Sequence, residues 1–431
     1  MRRVWWRQAG LACAAAAMAL PAAAAAPFGQ PLPGLDEAGR AAFAEGRALF
    51  QRPWSDGPGP GGGLGPLYNR LSCVACHPDN GRGRAPAGAD ERMQSMLVRL
   101  SRPGRGEHGG PRPHPAYGEQ LNEDGVAGVR GEGRAALRWL PVVHRLADGT
   151  SVELRRPLLQ FRELGYGPLR GVLSSARVGS PVYGLGLLEA VPEAALHALA
   201  ATPQPDGVRG RLNEVWDPVS RRMAVGRFGW KANTATLQAQ VVQAALGDLG
   251  LTSDALPAPN CTARQTACRD KARAGPGVDL SASEVVRIGA YLQQLAAPAP
   301  RGDGDTTIER GRRRFEDAGC AVCHRQLLPQ PEGRAPIAAY TDLLLHDLGR
   351  GLADGRPDYR AGPRDWRTPP LWGIGLTPQV NEHDEYLHDG RARGLFEAVL
   401  WHDGEARAAR RRFERLPPAQ RAELLAFVAS R

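Results

Sequence analysis

Two short stretches of this chain set thiols and imidazoles at a spacing that does chemistry. They are Cys73-Val74-Ala75-Cys76-His77 and Cys320-Ala321-Val322-Cys323-His324. Two thiols separated by two residues, with a histidine directly after, form the attachment signature of c-type haem. Each thiol adds to one vinyl group of the porphyrin, and the adjacent histidine faces the iron as proximal ligand. A single copy would also suit a redox dithiol or half of a zinc site. Two copies, each with its histidine, point instead to two covalently attached haem c groups. Cys73, Cys76, Cys320 and Cys323 would bind the porphyrins, with His77 and His324 on the metal.

The rest of the cysteine inventory agrees. Of seven cysteines, Cys13 falls in an N-terminal leader and four belong to the motifs, which leaves Cys261 and Cys268. In an oxidising compartment this pair is expected to close a short disulfide loop. A third metal site is the alternative, but no histidine lies nearby in sequence. The leader itself reads as a secretory signal over residues 1–26. Arg2, Arg3 and Arg7 precede an apolar, alanine-rich run, and Ala22 to Ala26 offer small-residue cleavage sites. Gly10-Leu11-Ala12 is a poor apolar run for lipidation of Cys13. Export to the bacterial periplasm is therefore expected, and no other run is long enough for a membrane span.

The chain of 431 residues has a formal net charge of +10, and setting aside the three leader arginines leaves 52 basic against 45 acidic residues. Lys231 and Lys271 are its only lysines. This fits a composition bias, and arginines also pair well with haem propionates. No basic run is interleaved with aromatics, which argues against nucleic acid as a partner.

The motifs must be positioned by an internal repeat. Gly46-Arg47-Ala48-Leu49-Phe50 precedes the first, and Gly311-Arg312-Arg313-Arg314-Phe315 precedes the second. Each predicts a helix that buries its phenylalanine. Each half closes on a second helix, entered at Ser281 with Glu284 as a capping box, or at Pro417. Residues 296–305, rich in Pro and Gly, read as a linker. The fold class expected is mainly α: two cytochrome c-like domains, the first enlarged by an insertion with some β-structure. The boundaries are 27–298, a linker at 299–305, and 306–431. Asp56 to Pro66 reads as a loop. The roughly 150 residues between His77 and Gly226 are too many for a connection. Within them Leu137–Arg145 and Thr150–Arg155 read as a hairpin, 185–200 as a helix, and Met93 to Leu100 as part of another helix. Gly184-Leu185-Gly186 is a weak nucleotide signal and fits helix entry better. Asp206 to Asn213 has too few carboxylates for a calcium loop.

The second half also carries Trp366-Arg367-Thr368-Pro369-Pro370-Leu371, Tyr386-Leu387-His388-Asp389-Gly390 and Leu395-Phe396-Glu397-Ala398-Val399. The first half carries Phe228-Gly229-Trp230-Lys231-Ala232, and a further stretch runs from Tyr340-Thr341-Asp342 to His346-Asp347-Leu348-Gly349. With these, the chain resembles the bacterial di-haem cytochrome c peroxidases. Within them it resembles most the branch of di-haem oxidoreductases often labelled thiol oxidoreductases. The resemblance covers nearly all of the chain beyond the leader.

The resemblance implies further site residues. The peroxidases place a distal ligand, usually methionine, fourteen residues after the histidine that corresponds to His388, and here that position is His402. Imidazole in place of thioether favours ferric iron. The plainer reading of His402 is a surface histidine, and of His388 a structural hydrogen-bonding role. Trp230 falls where the peroxidases place a tryptophan between the haems, and it also suits a core position. Asp248-Leu249-Gly250 resembles the segment that supplies their acid–base carboxylate, although it lies two residues closer to the tryptophan. Asp248 is thus the catalytic candidate, with an exposed helix-end aspartate as the alternative. For the distal side of the first haem, Met93 stands where the peroxidases have histidine, and Met96, His108 and His114 compete with it.

These readings imply a periplasmic di-haem oxidoreductase, a peroxidase reducing hydrogen peroxide with electrons from a small cytochrome or cupredoxin. The alternatives are an electron relay without a substrate, and an oxygenating or protein-modifying haem enzyme.

Overall fold

A computed structural model describes residues 27–54, 63–272 and 277–431. The leader, Cys13 and most of the Asp56 to Pro66 insertion lie outside the described residues. Among those described, no helix is long and apolar enough to cross a membrane.

The repeat is built from two helix pairs that close on a glycine. Helix Glu37–Gln51, capped by Asp36, crosses helix Ala282–Gln294. A Cβ at Gly46 would run into the Arg287 carbonyl and lie 2.7 Å from the Tyr291 Cβ. Helix Thr306–Asp317, capped by Asp305, crosses helix Pro418–Ala429 in the same way. There a Cβ at Gly311 would meet the Glu423 carbonyl and lie 2.7 Å from the Phe427 Cβ. Only a residue without a side chain lets the backbones approach this closely. One turn further on, Phe50 packs on Tyr291 at 5.4 Å between ring centroids, and Phe315 packs on Phe427 at 5.3 Å. Ser281 and Glu284 form the capping box.

The expectation of a mainly α fold is overturned. Of the described residues 33% are helix and 20% strand, with several small sheets. Much of the strand content lies in the inserted region of the first half. Strand Met96–Arg105 pairs with Leu173–Val178 on one side and Pro111–Arg112 on the other. The stretch around Met96 is therefore strand and not helix. Met96, Val98 and Leu100 are buried while Leu97 and Arg99 between them are less so, and alternation of period two is the signature of a sheet. The segment 185–200 is two helices, Leu185–Glu189 and Glu193–Ala201, because Pro192 cannot donate to a continuing helix.

The hairpin is longer than its sequence signal. Arg134–Arg145 and Ser151–Arg162 pair antiparallel from Arg134↔Arg162 to Arg145↔Ser151. Its far end reaches the core of the C-terminal half. Leu146 and Leu154 are buried there with Phe413, Trp401 and Leu424. His144 pairs with Glu414 at 2.8 Å and Arg155 with Glu385 at 2.5 Å. Cys261 and Cys268 form a disulfide, as their spacing suggests.

Candidate functional site

Each Cys-x-x-Cys-His motif forms one 3₁₀ turn, Cys73–Ala75 and Cys320–Val322; the second follows helix Thr306–Asp317 directly, whereas strand Leu67–Tyr68 lies between helix Glu37–Gln51 and the first. The turn brings both thiols and the histidine to one side of the chain. In each copy the histidine is anchored through Nδ1 to a main-chain carbonyl. His77 reaches the Ser180 oxygen at 2.6 Å, and His324 reaches the Tyr340 oxygen at 2.9 Å. Burial pushes both imidazoles down to about 4. A neutral ring that donates through Nδ1 keeps its Nε2 lone pair free for a metal, which is how second-shell partners fix a ligand's tautomer.

The second motif opens onto a cavity with about 1430 Å³ of atom-free space, its mouth included. Cys320, Cys323, His324, His402, Trp230 and Trp366 stand on its wall. His402 is no solvent-facing histidine. Its Nδ1 bonds the Ala398 carbonyl at 2.7 Å, and burial pushes its pKa down. His402 also lowers the pKa of His324, so the two rings face one environment. A large apolar cavity holding two thiols and two neutral imidazoles, each with Nε2 free, is the donor set a haem requires. The first motif repeats the thiols and the anchored histidine. There Gly179 lets the backbone close on the motif, since a Cβ at that position would strike the Cys76 carbonyl.

Asp248 lies at the first motif. After burial, its charge is the largest influence that raises the Cys73 and Cys76 thiols to about 12. Its Oδ1 accepts from Gln120 Nε2 at 2.9 Å, and its carbonyl oxygen accepts from the Asn69 N–H at 2.8 Å. Burial raises the carboxyl, while Arg99, Gln120 and Arg70 draw it back.

Trp230 stands between two cores, one around the second motif and one that contains Met93 and Met96. Its indole N–H donates to the Val178 carbonyl at 2.9 Å, and the Arg82 guanidinium lies 5.1 Å from its ring. Met93 and Met96 are buried core residues. The Gln94 carbonyl between them lies 4.0 Å from the Cys76 sulfur. His108 and His114 are engaged elsewhere. His108 stacks on Trp216 at 3.7 Å, and His114 Nδ1 accepts from the Ala116 N–H. His388 stacks on Trp366 at 3.7 Å, with its Nε2 3.3 Å from Asp389, and burial pushes it down to about 3.

Sequence reasoning missed two buried polar groups, His346 on the cavity wall and Lys231 against the Trp366 ring. His346 bonds Asp342 through Nε2 and Glu405 through Nδ1, both at 2.8 Å. Burial opposes its charge, yet Asp342, Cys323 and Glu405 push it up to about 12, so it is an imidazolium. Cys323, Asp342 and His346 gather their ligand-type atoms within 4.8 Å of one another. Lys231 is fully buried, 3.1 Å from Asp354 and 4.2 Å above the Trp366 ring. Burial pushes its ammonium down to about 8, against the pull of Asp354. The neighbouring residues Trp230 and Trp366 were the available signal for Lys231, and the His346-Asp347-Leu348-Gly349 stretch was the signal for His346.

Comparisons with known proteins agree with this geometry. No curated protein matches. A chain of the Kuenenia stuttgartiensis hydrazine synthase structure aligns at 19% identity over 41% of this chain and 63% of that one. Its TM-score of 0.26 gives it no weight for the fold. Residues 12–431 match the family described as "Di-haem oxidoreductase, putative peroxidase", which implies two haem groups. With two anchored-histidine motifs and a match over nearly its whole length, the chain belongs to the di-haem oxidoreductase family.

Proposed function

We propose that this protein is a periplasmic peroxidase. It binds two haems covalently and reduces hydrogen peroxide to water with two electrons from a small cytochrome or cupredoxin. The observation that carries the reading is the pairing of two unlike sites. The second has His324 and His402 on one cavity wall, each with Nε2 free. The first has a half-buried carboxylate, Asp248, held by Gln120, and among the described residues no second anchored histidine. The Cys261–Cys268 disulfide supports an oxidising compartment.

When bound, haem supplies the one-electron redox change and an axial coordination position. The residues around it do the remaining work. Cys73, Cys76, Cys320 and Cys323 fix the porphyrins, and His77 and His324 orient the irons. His402, which lines the same cavity as His324, would hold the second haem with it and close that haem to substrate. Asp248, as its carboxylate, takes the proton from one peroxide oxygen and returns it to the other. Trp230, against the cavity wall, lies on the route for electrons from the second site to the first. Reduction of one peroxide takes two electrons and two protons and gives two waters.

A relay without its own substrate is the second reading. Met93 and Met96 flank the Gln94 carbonyl beside Cys76, and a thioether in the sixth position would close the first site. The test is the purified protein's spectrum, oxidised and reduced, with and without peroxide, together with its mass. Two haems retained after denaturation and rapid peroxide consumption are expected. Serine at Cys73 and Cys76 should remove one haem, and serine at Cys320 and Cys323 the other. Rapid electron exchange with a donor cytochrome but no peroxide consumption would favour the relay. A protein that carries zinc and lacks a Soret band would overturn both.

A further inference from the structure

We infer that Gln120, from the inserted β-region, is the positioning residue for the Asp248 carboxylate and presents an acceptor to a small hydroxylic molecule beside it. The inference rests on the acid–base reading of Asp248 given above.

Gln120 is 3% exposed. Its Nε2 donates to the Gly247 carbonyl at 2.7 Å and to Asp248 Oδ1 at 2.9 Å. Both protons of the amide are thereby used at the end of helix Leu237–Leu249. A glutamine serving only to cap that helix would need only the carbonyl. The second bond fixes a side-chain oxygen, and a donor to a carboxylate favours its charged form.

The Gln120 backbone is held independently of the helix. It bridges Arg99 on strand Met96–Arg105, and the flanking Glu119 and Leu121 bond Leu100 and Val98 of that strand. The insertion thus delivers a rigidly mounted amide to the first motif. The charged groups facing Asp248 are Arg99 on the same strand and Arg70 beside the motif. Cys73 and Cys76 also face it, and as haem thioethers they would not titrate.

Gln120 Oε1 is buried and has no hydrogen-bond partner among the described residues. A buried acceptor left unmet is destabilising until a donor reaches it. Water or peroxide satisfies it by donating an O–H. Asp248 would then act on a molecule whose orientation Gln120 also fixes.

The test compares Gln120→Leu, Gln120→Met and Asp248→Asn as haem-loaded proteins. Two readouts are used: the pH profile of peroxide turnover and the infrared carboxyl band that Asp248→Asn removes. Loss of the amide donor should lower neutral turnover about tenfold, one charged hydrogen bond's worth. It should also move both the acid limb and the infrared titration to higher pH. Gln120→Met keeps similar bulk and covers the case in which Gln120→Leu does not fold. If Asp248→Asn loses turnover but both Gln120 variants keep the wild-type profile and band titration, the inference on Gln120 falls alone. If Asp248→Asn keeps full turnover, the acid–base reading falls and takes the inference with it.

Discussion

Trp230 and His77 are tied to the same short stretch of main chain. The Trp230 indole donates to the Val178 carbonyl at 2.9 Å, and two residues on the Ser180 carbonyl receives His77 Nδ1 at 2.6 Å. The Val178 N–H in turn donates to the His388 carbonyl at 2.9 Å. The wall of the second cavity is thereby connected to the anchored histidine of the first motif through residues 178–180. Trp230→Phe keeps a buried ring but leaves the Val178 carbonyl unmet, at a cost of about 1–3 kcal/mol. Electron equilibration between the haems should slow, with both haems retained. Flash photolysis of the half-reduced protein measures it, and an unchanged rate would remove Trp230 from the route.

His402 should ligate the second iron. A low-spin bis-histidine component is expected in the ferric spectrum. His402→Met should raise that haem's potential, because thioether favours ferrous iron. Potentiometric titration reads the change, and an unaltered spectrum and potential in His402→Ala would rule out ligation.

Peroxide turnover should depend on Asp248 more than on Trp230. General acid–base assistance contributes roughly 10²–10⁴-fold, so Asp248→Asn should cut turnover by at least about a hundredfold with haem content intact. Burial holds this carboxyl above its ordinary range. The acid limb it sets in kcat/KM should accordingly lie above that range and vanish in the variant. A limb that persists in Asp248→Asn belongs to another group.

Glu132 gives the fold a pH dependence of its own. The side chain is fully buried, receiving Gln265 Nε2 at 2.5 Å and the Asn122 N–H at 2.6 Å. Burial outweighs both donors and pushes the carboxyl from 4.5 up to about 8. The native state therefore binds this proton more tightly than the unfolded chain. The stability it contributes is complete at low pH and is lost as pH rises from 4.5 to about 8. Denaturant midpoints across that window should show the loss, and Glu132→Gln, which cannot ionise, should flatten it. A variant that tracks the wild type at every pH would assign the dependence elsewhere.

What the sequence made legible was what is local in it. Each haem motif spans five residues, the disulfide closes a short loop, and the hairpin turns at Asp148-Gly149. The helix pairs were visible because the spacing from Gly46 to Phe50 recurs from Gly311 to Phe315, each ahead of a motif. The sheet was hidden because Met96–Arg105 finds its longer partner strand as far on as Leu173–Val178. A run such as Met93 to Leu100 fits a helix or a strand until that partner is known. Gln120 was hidden for the same reason, since it meets Asp248 across 128 positions. His346 and Lys231 are polar residues in a core, and only their partners Asp342, Glu405 and Asp354 make such burial tolerable.

The hairpin that carries Leu146 and Leu154 has a consequence for how the chain is made. Synthesis from the N-terminus completes this arm long before Trp401, Phe413 and Leu424 exist to cover its end. Until they arrive, an apolar tip with Val142 and Val152 beside it stands uncovered, and the C-terminal half in turn cannot finish its core alone. Maturation of the two halves is thereby coupled. A nascent chain stalled before the second motif would be a sticky fragment in need of a chaperone, not a small working cytochrome.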